Sequence, residues 1–182
     1  MGAKRNGLLA LLAAATFVVT GVLATASAQE NEPETAATID YDGFLALSEE
    51  VGKIRANRLV DLDKFNRMAS KPNTIVLDSR SADAFAAGHI DGAINVPFAD
   101  FTDERLAAAI PDPDVRILIY CNNNFTDDVS PIPVKRSALA LNVPTFINLY
   151  GYGYENVYEL GDLVSTEHPD VHWVTSETRT SD

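Results

Sequence analysis

Cys121 is the only cysteine of the chain. It stands directly after Val115-Arg116-Ile117-Leu118-Ile119-Tyr120, a run apolar and β-branched enough to be a strand buried on both faces. A thiol delivered to the end of such a strand and opening on a polar stretch can attack as its thiolate, whereas a thiol sealed in a core is inert. Composition alone favours the inert state, since free cysteine is among the most buried residue types; its placement argues for chemistry. A second apolar run, Thr74-Ile75-Val76-Leu77, leads into Asp78-Ser79-Arg80. Carboxyl ends of parallel strands are where open α/β sheets place a ligand crevice. Arg80 there could grip an anion by a forked hydrogen bond, or Asp78 and Arg80 could fix the loops around the strand ends. Past the thiol, Asn122, Asn123 and Asn124 offer hydrogen-bond donors. Asp127 and Asp128 oppose a thiolate and the first basic residues, Lys135 and Arg136, favour it if folded back. Cys121 is therefore the candidate nucleophile, with Arg80, Asn122, Asn123, Asn124 and Arg136 as candidate substrate-binding residues. His89 reads as a packing residue before a general base.

The elements that must position these groups alternate. Phe44, Leu47, Val51 and Ile54 recur at helical spacing and predict an amphipathic helix on the body of the domain. Arg58-Leu59-Val60 is a weak first strand, and Asp61 an N-cap for a short helix carrying Leu62, Phe65 and Met68. Between the two strong strands lie a helix over Ala82 to Ala87, an extended piece near Ala93 to Val96, and a helix capped by Thr102 and running to Ile110. Helical pattern is expected from Val134 to Leu141, with Pro144 kinking or splitting it. Asn156 to Leu160 is the last strand. Strands alternating with short helices mean βαβ units and a mostly parallel sheet.

Val76-Leu77-Asp78-Ser79-Arg80, followed by Ala84-Phe85-Ala86-Ala87-Gly88-His89-Ile90-Asp91-Gly92-Ala93-Ile94-Asn95-Val96-Pro97, resembles the first signature of rhodanese-like domains. The resemblance extends from about Leu59 to Asp162, and Tyr152-Gly153-Tyr154-Glu155-Asn156-Val157 fits the family's turn into the last strand. It implies an α/β fold, a single rhodanese-like domain with a mostly parallel central sheet flanked by helices. It also implies that Cys121 heads a loop whose backbone amides converge on sulfur, and that sulfane sulfur passes through a Cys121 persulfide without cofactor or metal. The family loop is usually short and closed by an arginine. Here the stretch from Asn122 to Asp128 has neither glycine nor base, so the loop reads as enlarged, with the three asparagines supplying left-handed backbone in place of glycine. The alternative is a catalytically silent binding module that uses the long loop, 122–133. A cysteine-dependent phosphatase or arsenate reductase on a related scaffold fits less well, because it needs an arginine and amides wrapped tightly around an oxyanion.

Lys4 and Arg5, an apolar run from Gly7 to about Ala24, and Ala26-Ser27-Ala28 form a signal-peptide pattern over 1–28, which makes the protein exported, periplasmic or secreted. An uncleaved anchor is the competing reading, since crossing a bilayer takes roughly 20 apolar residues. After cleavage no stable membrane association is expected. An acidic leader follows over 29–38, the amphipathic helix over 39–57, the domain over 58–166 and a polar tail over 167–182. The net charge of −12 excludes nucleic acid as a partner. The expected partners are a small anionic sulfur donor or another protein.

Overall fold

The computed structural model describes residues 38–127 and 134–175. The expected signal peptide, nearly all of the leader, Asp128 and the end of the tail lie outside them. Five parallel strands form the central sheet: β1 (Leu59–Val60), β2 (Thr74–Asp78), β4 (Ile94–Asn95), β5 (Arg116–Tyr120) and β6 (Val157–Leu160), in the order β1-β6-β5-β2-β4. The two runs richest in β-branched residues hold the interior, β2 pairing with β5 from Thr74↔Arg116 to Asp78↔Tyr120. Both faces of β5 are buried. Ile117 and Ile119 join one core with Val51, Leu106, Phe146 and Val157, and Leu118 and Tyr120 join the other with Phe65, Val76 and Leu160.

Side-chain caps start the short helices where the sequence placed them. Asp61 accepts from the Lys64 amide at 2.7 Å to open α2 (Leu62–Ala69), and Thr102 from the Arg105 amide at 3.2 Å to open α4 (Asp103–Ala109). Ser81 does the same for α3 (Ala82–Ala87). The first helix, α1 (Tyr41–Arg55), lies on the domain through Val51, with Leu47 and Ile54 partly buried and Phe44 exposed.

Two expectations need correction. Helical pattern over Val134 to Leu141 gives only a 3-10 turn, Ser137–Leu139, and the helix, α5 (Asn142–Gly151), begins later with Pro144 in its first turn. Proline is tolerated there because the first-turn N–H groups have no intrahelical partner. The polar tail expected from 167 is in part built into the fold. Val171 is buried, and β7 (Trp173–Val174) pairs antiparallel with β3 (His89–Ile90). A two-residue strand gives too short a pattern for sequence periodicity to register.

The attachment of β7 has a steric condition at Gly88. A methyl there would collide with the indole of Trp173. Gly88→Ala is expected to lower stability by about 1 to 3 kcal/mol, the usual range for overpacking. Because Trp173 is the only tryptophan, fluorescence and thermal unfolding report this together: a red-shifted emission with a lower Tm is the expected result, and an unchanged spectrum and Tm the contrary one.

Candidate active site

Cys121 follows the last residue of β5 and is 1% exposed. A cavity of about 220 Å³ opens over it, walled by Ser79, Arg80, Pro97, Phe98, Asn122, Asn123, Lys135 and Leu141. The cavity thus lies at the carboxyl ends of β2 and β5, where a parallel sheet leaves its crevice. Backbone N–H groups of Asn142, Asn123 and Leu141 are directed at the sulfur. Two come from the start of α5 and one from the loop, so two separate segments meet at one atom. Burial nevertheless pushes the Cys121 thiol up; the three amides pull it down, and the Glu159 carboxylate adds to the upward push. The resting group is a shielded thiol whose ionised form has donors waiting.

Asp78 and Arg80 show which of their two readings holds. The Arg80 guanidinium is 1% exposed. Its Nε donates to both Asp78 oxygens at 3.0 Å and its Nη2 to Asp78 Oδ2 at 2.6 Å. Nη2 also reaches the Gly88 carbonyl at 2.6 Å, and Nη1 the Asn122 Oδ1 at 3.1 Å. The fork that could have gripped an anion grips Asp78. Tyr120 completes the unit, donating its hydroxyl to Asp78 Oδ2 at 2.7 Å and accepting the Ile90 amide at 3.1 Å. Burial, then the Asp78 charge, push this phenol far up, so it stays a neutral donor. Asn95 bridges the carbonyls of Asp78 and Arg80 at 2.8 and 3.0 Å. The result is a rigid rim tied to the Gly88 turn on one side and to the cysteine loop on the other. His89 is likewise structural: buried, stacked on Phe85 at 3.7 Å, with Nδ1 2.8 Å from the Phe85 carbonyl.

The asparagines brace the loop. Asn122–Asn124 form a right-handed 3-10 turn, and none has positive φ, so they do not substitute for glycine by left-handed backbone. Asn124 Oδ1 accepts the Cys121 amide at 2.9 Å while its Nδ2 donates to the Leu160 carbonyl at 2.8 Å. Asn123 pairs with both backbone groups of Lys135, at 2.6 and 3.1 Å, which sets Lys135 in the cavity wall. Asn122 receives Arg80, as above. The groups offered to the sulfur are therefore backbone amides, with Asn123 contributing its N–H. Arg136 is exposed and is not in the cavity wall; Lys135 takes the place expected of it.

Nor is Asp127 the acid beside the thiol. Its carboxylate receives the Thr166 amide, the Thr166 hydroxyl at 2.7 Å and the Ser165 hydroxyl at 3.2 Å. Those bonds, Thr166's first, hold it below the usual carboxylate range.

Glu159, Asn142 and Arg55 were not expected at the site. Glu159 is buried in β6 and receives Arg55 Nε and Nη2 at 2.6 and 2.7 Å. Asn142 Nδ2 spans to Glu159 Oε1 at 3.2 Å and to Asn124 Oδ1 at 3.1 Å, linking the pair to the loop. These residues line a second cavity of about 250 Å³ that also reaches Cys121. One signal was present in the sequence: an acid in phase with Val157 on a strand whose inward face is otherwise apolar. Among the described residues no group of His, Cys, Asp and Glu could hold a metal ion.

The pattern that defines the rhodanese-like domain matches residues 61–161. Thiosulfate sulfurtransferase PspE of Escherichia coli (strain K12) is 37% identical over 46 residues, a segment that is 25% of this chain and 43% of that protein. Less than half of that relative is therefore spanned. Among solved structures, the rhodanese-like domain of Alr3790 from Anabaena sp. is 20% identical with a TM-score of 0.44, covering 69% of this chain and 85% of that one. A rhodanese with anions from E. coli is 22% identical with a TM-score of 0.37, covering 56% and 98%.

Proposed function

Because this chain belongs to the rhodanese-like domain family, we propose that it is a sulfurtransferase that carries sulfane sulfur as a persulfide on Cys121. One observation carries the reading: the thiol sits at the floor of a crevice on the sheet's carboxyl edge with the N–H groups of Asn123, Leu141 and Asn142 directed at it. Preorganised amides of this kind stabilise an anion on sulfur. The relative named above, a thiosulfate sulfurtransferase, supports the same class of reaction.

In the first step the thiol loses its proton to water and the thiolate attacks the outer sulfur of a donor such as thiosulfate. A new S–S bond forms to Cys121, the donor's S–S bond breaks, and sulfite leaves with the bonding pair. A nucleophile then takes the outer sulfur and the Cys121 thiolate returns. Lys135 supplies the positive charge that favours a small anionic donor, and Arg80 holds the rim. With thiosulfate alone, the single-turnover rate of sulfur loading onto Cys121 is expected to rise about tenfold per pH unit from neutral pH, because the buried thiol ionises only above the ordinary thiol range. A rate already flat at pH 7 would contradict a shielded resting thiol.

The site is proposed to act after export. Lys4, Arg5, the apolar run and Ala26-Ser27-Ala28 support cleavage before Gln29. Native protein whose mass still includes residues 1–28 would overturn that part of the reading.

A further inference from the structure

The opposite end of the sheet carries a feature that sulfur transfer does not use. Lys64, Arg67 and Lys71 project from α2 and the residues after it, and Arg116 opens β5 beside them; with Met68 and Tyr158 they line a groove of about 440 Å³. Arg58 adds a fifth cation, its guanidinium 4.6 Å above the Tyr158 ring. Five of the chain's 14 basic residues thus gather on one face of a protein whose net charge is −12. Among the described residues no acid lines this groove, and none of the five cations is in an ion pair. Asp114 and Glu155 line a different hollow with Arg58, and Asp63, beside Lys64 on α2, is not in the groove wall.

Like charges gathered without counter-charge repel one another, and a solvated surface would disperse them. Arg116 is the sharper sign. Its Nη1 donates to Thr74 Oγ1 at 3.1 Å, while its Nε is buried and has no hydrogen-bond partner. The bond to Thr74 holds the guanidinium in the groove wall, with Nη2 left to donate to an oxygen of an anion there. The lysines are point charges on flexible stems and can close on further oxygens of the same ligand. Tyr158 and Met68 give the groove an apolar floor. Arg116 opens β5 and Cys121 follows its last residue, about 16 Å apart at about 3.3 Å per residue, so one small ligand cannot occupy both places.

We propose that this groove is a binding site for a small, multiply charged oxyanion of the phosphate or sulfate type, separate from the cysteine crevice. The site does not depend on sulfur-transfer activity.

Titration of the isotope-labelled full chain with inorganic pyrophosphate tests it, at constant ionic strength and with chloride as the reference anion. Saturable amide shifts confined to residues 62–71, Arg116 and Tyr158 are expected. Arg116→Gln should weaken the affinity at least tenfold, as should the exposed pair Lys64→Gln with Lys71→Gln, which keeps the test open if the Arg116 variant fails to fold. Lys53→Gln, at a lysine paired with Glu49 elsewhere, should leave it unchanged. Shifts that never saturate, that move to the Cys121 loop, or that survive the groove variants overturn the proposal. So would binding to phosphatidylglycerol vesicles without any binding of free pyrophosphate, since that would assign the groove to a membrane surface.

Discussion

Asp78→Ala is expected to destabilise the protein by about 3 to 5 kcal/mol, the usual penalty for leaving a buried charge without its partner. Asp78 is 0% exposed and answers the Arg80 backbone N–H, the Arg80 guanidinium and the Tyr120 hydroxyl. Against a total stability of about 5 to 15 kcal/mol, that loss is a large fraction and leaves a domain at the lower end of the range marginal. Arg80→Met removes the charge instead and fills part of its volume. It leaves an uncompensated carboxylate and should cost a similar amount. The double change Asp78→Ala with Arg80→Met is expected to be milder than the sum of the two, because it removes both charges together. Denaturant midpoints for the four proteins close the cycle. Additive losses would show that the two side chains do not depend on each other. A ligand-binding role for Arg80 predicts a different pattern, with stability kept and donor affinity lost.

Glu159→Gln should make Cys121 more reactive, although it breaks a buried ion pair. Burial is the main reason the thiol ionises late, and Glu159 is the acid that adds to it. Removing that charge lets the thiol ionise at lower pH. Arg55→Gln should do the reverse, since it strips Glu159 of both its bonds to the arginine and leaves the charge facing the thiol uncompensated. A tenfold change in the thiolate fraction at neutral pH requires only about 1.4 kcal/mol of altered interaction with that charge. The double variant should resemble Glu159→Gln, because Arg55 acts only through the carboxylate. Iodoacetamide alkylation followed against pH measures all four. A purely structural Glu159 would alter unfolding midpoints and leave the alkylation profile in place. Arg55 belongs to α1, before the matched segment 61–161, so a helix outside the defining pattern bears on the cysteine.

The scaffold was legible wherever a pattern repeats. β2 and β5 declared themselves by β-branched runs, α2 and α4 by caps at Asp61 and Thr102, and Cys121 by its place one residue beyond β5. The polar interior was harder, because a residue type does not say which partner its hydrogen bonds find. Arg80 can bind an anion or Asp78 with the same fork, and only the burial of both decides for Asp78. The asparagines were visible as hydrogen-bonding groups, yet their service as braces depends on Lys135, Leu160 and Asn142, distant in sequence. Arg136 and Asp127 were misplaced for the same reason. One residue's difference in where the chain turns puts Lys135 at the wall, and a remote pair, Ser165 and Thr166, captures Asp127. Glu159 is the instructive case: a lone acid in an apolar strand signals a buried partner, but not that the partner sits on the first helix.

Persulfide formation on Cys121 is tested most directly by the intact mass of the protein after brief exposure to thiosulfate or to a polysulfide. A gain of one sulfur is expected, lost on treatment with cyanide or a reducing thiol and absent in Cys121→Ser. A wild-type protein that gains no sulfur from either donor, while iodoacetamide still alkylates Cys121, would rule out the sulfur-carrying role.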